Sequence, residues 1–86
     1  MDARALVAWN LRRLRVARGI SQDDLAFTAG VDRAYVGNIE RGKGNPTVGT
    51  LEKLANVLNV GLVEFLVEPA ETELPPKPLK GGRRRP

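Results

Sequence analysis

The sequence predicts an all-α fold: a compact bundle of five short helices over residues 1–67, with a disordered, Pro/Arg-rich tail over 68–86. Three observations predict it. Apolar residues up to Val67 recur at three- and four-residue spacing, the period of a helix with one buried face. Ser21, Asp32 and Thr47 stand where helices start, and Gly19 and Gly30 stand where they stop. Finally, five of the six prolines fall after Glu68, so the composition breaks there.

The first helix runs from about Asp2 to Arg18. Leu6, Asn10, Leu14 and Ala17, with Val7 and Leu11 beside them, share one side, and Arg4, Arg12 and Arg18 lie mostly on the other. Gly19 is placed to end it in a left-handed conformation. Ser21 then caps a second helix, Gln22 to Ala29, and Asp24 three residues on partly mimics a capping box. Leu25, Ala26 and Ala29 face inward, and Gly30 makes the turn. Asp32 caps a third helix reaching about Arg41, with Val36 and Ile39 inward. Gly42 to Pro46 is a loop. Thr47 caps the fourth helix, whose inner face carries Leu51, Leu54, Ala55 and Leu58. After Gly61 a last short helix, Leu62 to Val67, closes the core with Leu62, Phe65 and Leu66. The stretch Val57 to Val60 alternates like a strand, but no partner strand exists for it.

Composition narrows the function. The chain has 86 residues and contains neither His nor Cys. The usual zinc ligands, the usual general base and a thiolate nucleophile are therefore missing, and the expectation is no enzyme, no metal and no cofactor. No apolar run approaches the ~20 residues of a membrane span. A soluble cytoplasmic binding module is the class that remains. Its net charge of +4 is shared evenly: residues 1–67 hold 9 basic and 7 acidic side chains, and 68–86 hold 5 and 3. The body is thus only mildly basic, and bulk charge alone does not identify an anionic partner.

The informative unit is the pair of short helices around Gly30. Two helices crossing at a steep angle in a helix-turn-helix need a small residue at the crossing, a turn residue tolerant of positive φ, and branched apolar residues facing the partner. Ala26, Gly30, Val36 and Ile39 meet these needs at the right mutual spacing. On the outer side of the third helix, Arg33, Ala34, Gly37, Asn38 and Arg41 fall within an arc of roughly 140°. Small residues there let a backbone sink into a DNA major groove. Arg can pair with guanine O6/N7 and Asn with adenine N6/N7. Gly37 in mid-helix costs about 1 kcal/mol against Ala, which close approach to a duplex would justify; a merely solvated face is the plain alternative.

The stretch from Ser21 to Val60 closely resembles the phage-repressor and Cro-type helix-turn-helix family, also called xenobiotic-response-element-type regulators. The resemblance runs from about Leu11 to Leu66. It is carried by Leu14-Arg15, Ser21-Gln22, Leu25-Ala26, Ala29 to Val31, Ile39 to Gly42, Asn45-Pro46 and Leu51 to Ala55. The segment from Tyr35 to Pro46 is also similar to the controller proteins of restriction–modification systems. The resemblance implies a lambda-repressor-like bundle that binds a double-stranded DNA operator as a homodimer and regulates transcription, with the recognition helix, 32–41, in the major groove.

The resemblance also implies roles. Arg33, Ala34, Gly37 and Asn38 would face bases. Gln22, Tyr35, Arg41, Lys43 and Asn45 would hold phosphates, Tyr35 having the alternative of covering the core. Asp23 and Asp24, beside Gln22, must point aside from the DNA backbone. Arg15 and Glu40 match a structural ion pair. Trp9 is either a lid on the core or a protein contact, and Val63 and Val67 are weak candidates for a dimer contact. Arg83, Arg84 and Arg85 are a solvated terminus or an auxiliary phosphate arm. The competing function is an antitoxin or adaptor that binds a protein through its tail or last helix. No small-molecule ligand is evident.

Overall fold

A computed structural model describes residues 1–70. The expectations for the tail, Arg83 to Arg85 included, lie almost wholly outside the described residues. The elements are α1 (Ala3–Ala17), α2 (Gln22–Ala29), α3 (Arg33–Glu40), α4 (Val48–Leu58) and a 3-10 helix (Leu62–Leu66). No strand occurs among the described residues, and Val57 and Leu58 belong to the end of α4.

Side-chain caps begin three of the helices. Asp2 Oδ1 accepts from the Ala5 N–H at 2.8 Å, Ser21 Oγ from Asp24 at 3.0 Å, and Thr47 Oγ1 from Thr50 at 3.0 Å. Each such cap is worth about 1 kcal/mol. Asp32 departs from expectation. It occupies the N-cap position of α3 with extended backbone, yet its side chain makes no capping bond. The first turn is closed by its backbone carbonyl alone, which accepts from the Tyr35 and Val36 N–H groups at 3.0 and 3.3 Å.

Left-handed residues end the helices. Gly30 has φ +76°, and the Val31 N–H reaches back to the Ala26 carbonyl at 3.0 Å. A Cβ at Gly30 would meet no atom within 4 Å. The cost of a side chain there is therefore backbone strain, about 1–2 kcal/mol. At the end of α4 a non-glycine, Asn59, takes φ +58°, with the Val60 N–H on the Ala55 carbonyl at 3.0 Å. Asn tolerates this conformation because its short amide can bond locally.

The core joins α2 to α3 and α4, and α1 to α3 and the 3-10 helix. Leu11, Leu25, Val36, Leu54, Leu58 and Phe65 are wholly enclosed. Each contributes about 1.5–3 kcal/mol by leaving water. The expectation that Leu62 and Leu66 also close the core is corrected: they are 36% and 53% exposed. The final element is a 3-10 helix ending at Leu66, with three residues per turn. With Phe65 inward, Leu66 is turned about 120° away, and Leu62 sits at the edge.

A polar knot fastens this terminal turn. Asn10, 1% exposed, donates through Nδ2 to the carbonyls of Leu6, Phe65 and Val67 at 3.1, 3.0 and 2.8 Å. Its Oδ1 accepts from Arg13 Nε and Nη2. The Asn10 amide thus substitutes for part of the apolar packing that Leu66 does not provide.

Candidate nucleic-acid interface

The back of α3 is fixed by a buried ion pair. Arg15 Nε donates to Glu40 Oε2 at 2.6 Å and Nη2 to Oε1 at 3.0 Å, a two-point contact that suits the planar guanidinium. The Arg15 Nη1 takes the Ile20 carbonyl at 2.9 Å. The two side chains are 7% and 3% exposed. Every strong partner of this arginine is internal, as expected for a scaffold pair. Gln22 joins the cluster, donating from Nε2 to Glu40 Oε1 at 3.0 Å. The residue expected to grip a phosphate therefore also braces the ion pair, and its position on α2 is tied to α3.

The front of α3 is open. Arg33, Ala34, Asn38 and Arg41 are all exposed. Arg33 Nε lies 2.8 Å from Asp23 Oδ1, with side chains 64% and 32% exposed. Asp23 turns to the candidate base-reading arginine at the front of α3. Arg41 donates from Nη2 to Asn38 Oδ1. Tyr35 is half-buried and packs against the core, so its ring performs the covering role whatever its hydroxyl meets.

Gly37 departs from the expected outer face: it is buried. A Cβ built there would lie 3.3 Å from Arg41 Nη1 and 3.8 Å from Gln22 Oε1. Arg41, one helical turn on, folds back over it. The missing side chain makes room first for these two polar groups, and a duplex would approach the Gly37 backbone only after Arg41 swings away.

The loop after α3 carries Lys43 and Asn45, both exposed. Asn45 Oδ1 accepts from Arg4 Nε at 3.1 Å and Nη2 at 2.9 Å. Arg4 was absent from the expected site. It starts α1 on what reads as the solvent face, and no local pattern marks a partner 41 residues away. Trp9 is partly buried and lines a shallow groove with Arg12, Arg41 and Gly42. Val63 and Val67 are 68% and 43% exposed, and like Leu62 and Leu66 they leave apolar surface in water in or beside the 3-10 helix. Among the described residues there is no acidic or other cluster able to hold a metal, and no helix long and apolar enough to cross a membrane.

Two crossed helices, a left-handed turn at Gly30 and an open, polar outer edge constitute a helix-turn-helix. The helix-turn-helix family matches residues 11–65. The chain belongs to this family. Its function is DNA-binding transcriptional regulation. The helix-turn-helix chain is 42% identical over 72 residues to the HTH-type transcriptional regulator y4dJ of Sinorhizobium fredii, covering 84% of this chain and 94% of the relative. It is 41% identical over 70 residues to a hypothetical transcription factor of Neisseria meningitidis serogroup B, covering 81% of this chain and 66% of that one. Among solved structures, it matches the restriction–modification controller protein C.Esp1396I bound to a 19 base pair DNA duplex, with TM-score 0.69 and 32% identity. That match covers 76% of this chain and 87% of the other.

Proposed function

We propose that the chain binds double-stranded DNA sequence-specifically as a homodimer, laying α3 in the major groove of each half-site. The observation that carries this is the two-sidedness of α3: its back is pinned by Arg15 and Glu40, while Arg33, Ala34, Asn38 and Arg41 are exposed on its front. Arg33 reads guanine, Asn38 reads adenine and Ala34 offers a methyl contact. Gly37 lets the backbone come close once Arg41 is drawn to the DNA. Gln22, Tyr35, Arg41, Lys43 and Asn45 hold phosphates and fix the register. Asn38 must then exchange Arg41 for the base. The similar controller protein's DNA-bound state supports the reading.

The exposed cluster in sequence of Leu62, Val63, Leu66 and Val67 supports the dimer, because four apolar side chains left in water within six residues favour burial against a second copy. Two recognition helices then fall about 34 Å apart on one face of the duplex. The dimer works in the cytoplasm, on the nucleoid, and represses or autoregulates by occupying its operator. The same terminal helix is the feature an adaptor or antitoxin would use. Selection of duplexes from a random pool at fixed salt tests both readings. A two-fold symmetric consensus is expected; a pool that stays random even at low salt refutes the sequence-specific reading and favours the adaptor.

A further inference from the structure

Asp23 is the second residue of α2 and Arg33 the first of α3, so the helix-turn-helix crossing brings them together. We propose that Asp23 is a positioning residue that sets the base selectivity of Arg33. This inference rests on Arg33 being a base-contacting residue.

A guanidinium presents its N–H groups in a rigid planar fork. Asp23 Oδ1 sits 2.8 Å from Nε, one corner of that fork. The edge formed by Nη1 and Nη2 remains for guanine O6 and N7. A free arginine carries large rotamer entropy and reaches phosphates on either strand as readily as bases. Held at Nε, it loses part of that freedom before DNA arrives, and a side chain 64% exposed still has room to meet a base. The carboxylate acts a second way. The pair carries no net charge, so Arg33 adds little to undirected attraction for the phosphate backbone, and Asp23 repels phosphates that come near. Asp23 therefore lowers affinity for DNA in general and raises the contrast between the right and wrong base.

The test uses the full chain as wild type, Asp23→Asn, Asp23→Glu and Arg33→Ala. Each is titrated at several salt concentrations against the selected duplex, against single-base replacements of it, and against random duplex. Melting curves check that each variant folds. Arg33→Ala identifies the base position that Arg33 reads. At that position Asp23→Asn is expected to lower discrimination by about 3–10-fold, a sizeable part of what a bidentate contact supplies. It is also expected to bind random duplex more tightly, with a log–log salt slope steeper by about one. Asp23→Glu is expected to retain part of the discrimination. If Arg33→Ala relaxes a position and Asp23→Asn leaves it as sharp as before, the positioning role is overturned while the DNA reading stands. Equal weakening on all duplexes by Asp23→Asn overturns it too. If Arg33→Ala relaxes no position, the reading of Arg33 itself fails, and the role of Asp23 falls with it.

Discussion

Helix α3 carries an arginine–carboxylate pair on each side. At its back, Arg15 and Glu40 are 2.6 Å apart and almost sealed from water. At its front, Arg33 and Asp23 are 2.8 Å apart and largely wet. The distances barely differ, but the surroundings do. Water screens the outer pair, so Asp23 holds Arg33 only loosely, and the Nη1–Nη2 edge of the guanidinium stays open to a base. No such competitor reaches the inner pair, and either partner left alone would be a stranded charge. The same chemistry serves as a bolt in one place and a loose guide in the other, and exposure decides which.

The largest expected effect is at the back. Glu40→Ala should lower the unfolding free energy by about 3–5 kcal/mol, measured by urea denaturation, because Arg15 and Gln22 both lose their acceptor. Replacing both charges, Arg15→Met with Glu40→Leu, should recover much of that loss; failure to do so would mean that the pair contributes more than mutual neutralisation. At the front, Arg33→Ala should change stability by no more than about 1 kcal/mol, yet cost about 1–3 kcal/mol in binding the selected duplex and relax one base position. A large stability loss there would erase the contrast between the two pairs.

Gly37→Ala lies between the two sides. Ala favours the helix by about 1 kcal/mol, and the nearest obstacle, Arg41 Nη1, is the far end of an exposed, flexible side chain. The variant should melt higher and bind the selected duplex more weakly. The smallest effect is at Lys43→Ala, which should leave stability unchanged, weaken all duplexes alike by a few-fold and flatten the salt slope by about one. A sequence-dependent loss would move Lys43 from the phosphates to the bases.

Much of this arrangement was legible in residue order. The starts of the four α-helices, the caps at Ser21 and Thr47 and the turn at Gly30 agree with expectation, and Arg15 meets Glu40. Leu62 and Leu66 did not follow, because apolar spacing cannot distinguish a 3-10 turn from an α-helix over five residues. Asn10 read as one more position on an inner face, and its hold on the Phe65 and Val67 carbonyls was invisible.

By itself the sequence determined where helices start and stop, which faces are apolar and which helix presents an unusual outer edge. Those signals act within a turn or two of the chain, through backbone geometry and side-chain period. Only the tertiary structure decided that Arg41 covers Gly37, that Asp23 meets Arg33, that Gln22 braces Glu40 and that Arg4 holds Asn45. Those partners lie on different elements of the fold or fold back across one. Their meeting depends on crossing angles and side-chain reach, which no stretch of residues encodes alone.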